Sequence, residues 1–384
     1  MGTILRAGII GDTGCGDYGH GLDIAYQNSP DVIVVSIADP DKNGRKAAAQ
    51  RSGASREYYD YREMLDKENL DLVNVCPRWL GKHEEMVIAS ANAGVKGLLC
   101  EKPFAASLSQ ADSMLESCER NGVRVVVAHR RANAYEIHGK KLLDDGLIGD
   151  LRTIRSRGKE DRRAGAMDLM VLGTHMMDSL RYFAGDEVEW VHGSVTQDNH
   201  AVTVDDICEG NEEIGLIAGN GVDAHFRFRN GISAYFESHP TDPGSDRHSR
   251  SFGFEIHGTT GVISMRNSPS GEMYIYPYGQ WIPRESDGKW ERVYIENWER
   301  NKDGTVRSSS ERMHLSNHLM VTELINAIRE DREVEGVSSG EDGRKALEMI
   351  MAVHESERLK TRVYLPMVNR DNPYSTWRRE EYGF

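Results

Sequence analysis

The first chemistry legible in this chain is that of a loop built to approach phosphate. An apolar run at residues 6–10 enters Gly8-Ile9-Ile10-Gly11-Asp12-Thr13-Gly14-Cys15-Gly16-Asp17-Tyr18-Gly19-His20-Gly21. Glycines let a backbone come close to a pyrophosphate, and a following helix would offer unpaired N–H groups and its positive dipole end. A literal GxGxxG spans 14–19, yet the strand reads as ending at Gly11, so the loop is longer than the usual fingerprint. Gly11, Asp12, Thr13, Gly14 and Gly16 are the residues expected to face a dinucleotide, and which glycine meets the pyrophosphate stays open. The second strand closes at Ala38-Asp39-Pro40, 28 residues after Gly11. A carboxylate there accepts hydrogen bonds from ribose hydroxyls and repels a 2′-phosphate, which favours NAD over NADP. Asp39 could equally cap the next helix, and Lys42 and Arg45 are near enough to leave NADP open.

The elements around this loop alternate. Apolar β-branched strands at 6–10, 32–38, 72–76, 97–100 and 123–128 are separated by helical stretches at 19–28, 42–51, 82–93 and 108–121. Fully apolar strands with intervening helices predict parallel βαβ units covered on both faces. Beyond residue 130, alternating runs at 151–157, 222–229, 232–237, 252–257, 262–265 and 274–278, with turns at Asn230-Gly231 and Thr260-Gly261, predict a largely antiparallel sheet. Helices are expected at 133–145, 169–183, 314–330 and 341–359. The expected organisation is an α/β Rossmann domain over 1–130, an α+β substrate and oligomerisation domain with a large open-faced sheet over 131–366, and a tail over 367–384. The tail reads either as disordered or as an arm on a neighbouring subunit.

Length and charge agree with this division. The chain of 384 residues suits two or three domains, and 47 basic against 61 acidic residues leave a net charge of −14. That balance argues against a nucleic-acid binder and against binding to anionic membranes. Five scattered cysteines (15, 76, 100, 118 and 208) suggest neither a disulfide framework nor a zinc site, and no metal is expected. Asp198, His200, His239 and His248 lack metal-ligand spacing. The N-terminus runs directly into a strand, no apolar run reaches 18 residues, and a reducing cytoplasm is the expected compartment.

Gly97-Leu98-Leu99-Cys100-Glu101-Lys102-Pro103 closes a strand in Glu-Lys-Pro and resembles the Gfo/Idh/MocA oxidoreductases. Val75-Cys76-Pro77 with His83 is similar to that family's third-strand segment. Arg131 with 147–151 is similar to its domain junction, 173–178 to its active-site helix, and 363–366 to its closing strand. The resemblance covers roughly residues 5–366. It implies a Rossmann domain holding NAD(P), an active site served by the second domain, and dimers or tetramers formed through the sheet. The implied reaction is hydride transfer at a secondary hydroxyl of a sugar, glycoside or cyclitol.

Within that reading Lys102 is the family's lysine, placed to hydrogen-bond or relay the hydroxyl proton, with Glu101 orienting it. Cys76, Pro77 and Trp79 join the cofactor-side candidates, although Trp79 serves equally well as a hydrophobic plug. His175 is the candidate acid/base, because imidazole titrates near neutral pH. At 100° per residue Asp168, Val171, His175 and Asp178 share a helix face. Many relatives carry Asp where this chain has Val171. On a continuous helix Asp168 lies about 10 Å along the axis from His175 and could substitute only if the substrate or the helix start is displaced. Asp178 either fixes the His175 tautomer or pairs with Arg181 or Arg131. The charged run 157–163 is either a solvated face or a substrate-binding edge. The alternatives to a dehydrogenase are an NAD-dependent glycosidase working by transient oxidation and elimination, and a non-catalytic dinucleotide-binding regulator.

Overall fold

The computed structural model describes residues 3–240, 252–266, 271–280 and 287–383. The chain divides into two compact units. The first contains the chain as far as Ala132 together with Asn211–Ile214 and Met313–Arg344. Its centre is a six-stranded parallel sheet of β1 (Leu5–Ile10), β2 (Val32–Ala38), β3 (Arg56–Tyr58), β4 (Leu72–Val75), β5 (Gly97–Cys100) and β6 (Arg124–Val127), in the order 3-2-1-4-5-6. Helices α1 (Lys42–Ser52), α2 (Tyr61–Lys67), α3 (His83–Asn92) and α4 (Leu108–Arg120) connect the strands. The four-residue runs of β4 and β5 are buried throughout, as expected of parallel strands covered on both faces. The order reverses between β1 and β4, which opens a crevice at their carboxyl ends.

Two differences from the sequence reading matter in this unit. No α-helix spans 19–28; a single 3-10 turn, Leu22–Ile24, stands there. Gly19 and Gly21 adopt left-handed φ of 55° and 78°, and Asn28 sits at 64°, conformations that interrupt an α-helix. Buried Asn74 holds this irregular segment by donating to Leu22 O at 2.8 Å and accepting from the Tyr26 hydroxyl at 2.6 Å. The second difference is that the long Ser309–Glu330 helix contributes to this unit from Met313 onward. Its Val321, Leu324 and Ile325 join Ala7, Ile9 and Leu72 in one buried cluster. Gly97 makes room for it, because a Cβ there would lie 2.6 Å from Ile328 Cδ1. A contiguous boundary near residue 130 does not capture this return, because apolar contact rather than chain order decides which core a helix joins.

The second unit is built on a ten-stranded sheet among the described residues. It includes β7 (Leu151–Arg157), β8 (Val188–Gln197) and the Gly221–Phe228, Ser233–Ser238, Gly253–Gly258 and Val262–Arg266 strands. Pairing is antiparallel except where β7 runs parallel to Ser233–Ser238. The Asn230-Gly231 turn closes the expected hairpin. Helices α5 (Ala134–Asp144), α6 (Gly165–Val171) and α7 (Gly173–Ala184) belong to this unit, and the 169–183 helix expected from the sequence is in fact two, meeting at Leu172.

The C-terminal tail forms a helix that docks on its own unit. Pro373–Tyr382 is a helix capped by Asn372, whose side chain also donates to Leu216 O at 2.9 Å. Tyr374 is fully buried against His354, with its hydroxyl 3.0 Å from Nδ1. Burial pushes the imidazole down to about 4, so it is neutral. Tyr374→Phe would leave Nδ1 buried without its hydrogen-bond partner. It should cost about 1–3 kcal/mol in urea unfolding; an unchanged midpoint would mean the tail does not dock in solution.

Candidate active site

The glycine loop is a closed structure of its own. Asp12 and Asp17 exchange backbone hydrogen bonds at 3.2 and 3.0 Å, Cys15 N donates to Asp12 O, and Gly14 N donates to Asp17 Oδ1. Gly14 and Gly16 hold left-handed φ of 91° and 98°. A Cβ on Gly16 would meet Arg78 N at 2.3 Å and Trp79 N at 2.6 Å, whereas one on Gly14 would meet nothing within 4 Å. Gly16 is therefore a packing glycine against the segment after β4, and Gly14 is the one at an open edge. Gly16→Ala should lower stability by about 1–3 kcal/mol, as a strained φ and a backbone collision both imply. A melting temperature matching the parent would contradict this packing. Gly11 ends β1 with its N–H on Ala38 O at 2.9 Å, under the ring of Tyr18. Asp12 is buried and ion-paired with Lys82 at 2.8 Å.

Asp39 stands at the end of β2 as expected, but its carboxylate is engaged. Oδ2 accepts the Thr13 hydroxyl at 2.7 Å, Oδ1 accepts Asp41 N at 2.8 Å, and Thr13 N reaches both oxygens at 3.2 Å. Gly44 makes the seat for Thr13, since a Cβ there would lie 1.9 Å from the hydroxyl oxygen. The helix cap is Asp41, which accepts Gly44 N.

At the carboxyl ends of β4 and β5 lie Cys76, Pro77, Trp79, Glu101 and Lys102. Cys76 is fully buried, and burial pushes its thiol well up, so it is a core residue. Pro77 O accepts His83 Nε2 at 2.7 Å, and Trp79 is half-buried at the start of a 3-10 turn. Glu101 is 0% exposed and Lys102 is 3% exposed. Glu101 Oε1 pairs with His20 Nδ1 at 2.6 Å, while Oε2 has no partner among the described residues. Burial alone would raise this carboxyl; the charge and hydrogen bond of His20, with Lys102, hold it below the usual range. His20 was not singled out from the sequence, where it is one polar residue between two glycines.

A dinucleotide fits these residues. The crevice, the open edge at Gly14, the acid at the end of β2 and an orphaned buried oxygen at Glu101 stand on neighbouring strand ends. The departures are the missing first helix and the Thr13 bond, which a ribose hydroxyl would have to replace.

In the second unit His175 and Asp178 are both buried on α7. The break at Leu172 removes the continuous helix on which Asp168 was to share their face. Asp168 Oδ2 instead accepts from the Ser238 hydroxyl at 2.7 Å and Glu160 N at 3.0 Å, and Oδ1 has no partner among the described residues. Burial pushes Asp168 up to about 6. Gly158 accommodates it, because a Cβ would lie 2.1 Å from Oδ2. The charged run is largely paired within itself: Arg157 pairs with Glu160, and Lys159 and Arg163 pair with Asp161. Glu160 is 1% exposed and also accepts His239 N at 2.9 Å. No sequence signal separates it from its charged neighbours. Arg181 pairs with Glu187 and Arg131 with Asp342. Of the histidines given no site, His239 pairs with Asp223, and His248 lies outside the described residues.

Comparison with known proteins bears on both halves. The model of the Gfo/Idh/MocA oxidoreductase family, NAD-binding Rossmann fold, matches residues 5–129. The Gfo/Idh/MocA C-terminal domain matches residues 137–264. The chain is 26% identical over 308 residues to the myo-inositol 2-dehydrogenase of Thermotoga maritima, covering 74% of this chain and 86% of that protein. It is 31% identical over 206 residues to the D-apiose dehydrogenase of Paraburkholderia graminis, spanning 50% of this chain and about half, 54%, of that relative. A levoglucosan dehydrogenase solved with NADH and levoglucosan shares the fold at a TM-score of 0.71 and 21% identity, covering 95% of this chain and 100% of that one. Both halves match the two domains of one family in their order, and the protein is a member of the Gfo/Idh/MocA family of NAD-binding oxidoreductases.

Proposed function

We propose that the protein oxidises a secondary hydroxyl of a sugar, glycoside or cyclitol with NAD, reversibly. The observation that carries this reading is the buried Glu101-Lys102 pair at the end of β5, beside the glycine loop, in a chain whose relatives are named as sugar and cyclitol dehydrogenases. Lys102 binds and orients the hydroxyl and holds or moves its proton at Nζ. His175 and Asp178 supply an imidazole and a carboxylate from α7, and Asp168 a carboxyl that burial keeps partly protonated near pH 6. Asp12, Thr13, Gly14 and Asp39 would hold the adenosine end of NAD, with Gly11 and Gly16 packing the loop that presents them and Asp39 accepting from the ribose once Thr13 yields its bond. Trp79 and Glu101 would border the nicotinamide end, over the buried Cys76 and Pro77. When bound, NAD supplies a hydride acceptor.

Homo-oligomers form, on this reading, through the sheet face where Trp190 meets His225 edge-on at 4.9 Å between ring centroids and His225 stacks on Tyr235 at 4.6 Å. No helix among the described residues is long and apolar enough to cross a membrane, and all five cysteines are free. Free thiols suit the reducing cytoplasm that we assign to the protein.

The test is a panel of sugars, glycosides and cyclitols with NAD and NADP, followed at 340 nm, with thermal shift by each cofactor. Reduction of NAD by at least one polyol is the expected result. Aglycone release without accumulating NADH would replace the dehydrogenase by the glycosidase reading. Tight cofactor binding with no turnover would replace it by the regulator.

A further inference from the structure

We propose that His20 and Glu101 form an acid–base dyad of the cofactor-binding unit, with Nε2 of His20 a further proton-transferring atom for the hydroxyl oxidation. The proposal rests on the dehydrogenase reading above. His20 Nδ1 lies 2.6 Å from Glu101 Oε1. An ionised carboxylate only accepts, so Nδ1 must carry the proton and donate it. When the ring is neutral Nε2 is the acceptor nitrogen, and it makes no hydrogen bond among the described residues. The Glu101 side chain is 0% exposed while that of His20 is 39% exposed. A buried carboxylate thus orients an imidazole whose other nitrogen is presented outward, the arrangement that fixes a tautomer and stabilises an imidazolium once formed.

The backbone around His20 is shaped for this contact. Gly19 adopts a left-handed φ of 55°, and a Cβ there would lie 2.9 Å from Cys76 O and 3.1 Å from Glu101 Cδ. Gly21 is left-handed as well, at 78°. Asn317 donates its amide to His20 O at 3.0 Å and Gly21 O at 3.3 Å. Two glycines and an asparagine clamp hold the loop against the ends of β4 and β5, where an open parallel sheet binds its ligands. Lys102 follows Glu101 directly, and the orphaned Oε2 of Glu101 leaves an acceptor for an incoming donor.

In the oxidation direction NAD, when bound, would supply the acceptor for the substrate C–H electron pair as hydride. The O–H proton, oriented at Lys102 Nζ, passes to His20 Nε2 as the carbonyl forms. The imidazolium, balanced by Glu101, then releases the proton to water.

The experiment compares the full chain with His20→Gln and Glu101→Gln by three readouts. These are NADH binding by fluorescence, turnover of the panel polyol that the parent oxidises fastest, and ring-nitrogen NMR of His20 in the free protein. His20→Gln should lower kcat by about a hundredfold or more with NADH affinity changed less than about threefold. The free parent should show Nδ1 protonated, and Glu101→Gln should alter that signal. Turnover of His20→Gln within about threefold of the parent overturns the proposal, as does a His20 ring whose spectrum is indifferent to Glu101→Gln. A parent that binds NADH but oxidises no polyol overturns the dehydrogenase reading instead, and the NMR signal then decides the dyad alone.

Discussion

Lys102→Ala should lower polyol turnover by about a hundred- to ten-thousandfold while leaving NADH binding close to the parent's, the loss expected when a group that orients and moves a proton is removed. Lys102 is almost fully enclosed, at 3% exposure, at the end of β5. A cation held out of water in this way has no solvation reason to be there. Lys102→Arg separates charge from proton transfer, because guanidinium keeps the charge but does not release its proton near neutral pH. Both variants inactive, with NADH affinity retained, is the expected pattern. Lys102→Ala turning over at the parent rate would remove this residue, and with it the main support for the proposed mechanism.

Asp168→Asn should raise stability at neutral pH and lower activity at the same time. Burial lifts the folded-state carboxyl from 3.8 to about 6, so between those values the folded protein holds a proton that the unfolded chain has released. The stability this proton brings is complete below about pH 3.8 and is lost as pH rises through 6. Asparagine removes the ionisation, so urea unfolding at pH 8 should show a gain of up to about 3 kcal/mol and a flatter profile from pH 4 to 6. Its amide oxygen can replace Oδ2 toward Ser238 and Glu160. Its NH2, where Oδ1 has no partner, reduces the gain. A group that destabilises the fold yet is needed for turnover marks a functional site. A stabilised variant with full activity would make Asp168 a structural residue only.

How much of this was legible beforehand varies with the distance over which each feature is decided. The strands of the first unit were readable because unbroken Val, Ile and Leu runs have few alternatives to a doubly covered parallel sheet. The Asn230-Gly231 hairpin was readable from its turn residues. The helix expected at 19–28 does not form, because two glycines there are left-handed and the segment's hydrogen bonds are completed by Asn74 and Asn317, far away in the chain. The continuous helix through Asp168 and His175 failed at Leu172, and with it the expected alignment of their side chains.

The sequence by itself determined the chemistry available: a glycine loop, an acid after the second strand, a Glu-Lys-Pro strand end and a histidine-bearing helix, all encoded within short windows. Only the tertiary structure decided how those groups are committed. It gave Asp39 to Thr13, Asp168 to Ser238, Glu101 to His20 and the Ser309–Glu330 helix largely to the first core. Each of those pairings joins residues far apart in the chain. It forms because a buried polar group must find a partner and a buried apolar face must find a cover, wherever in the sequence these lie.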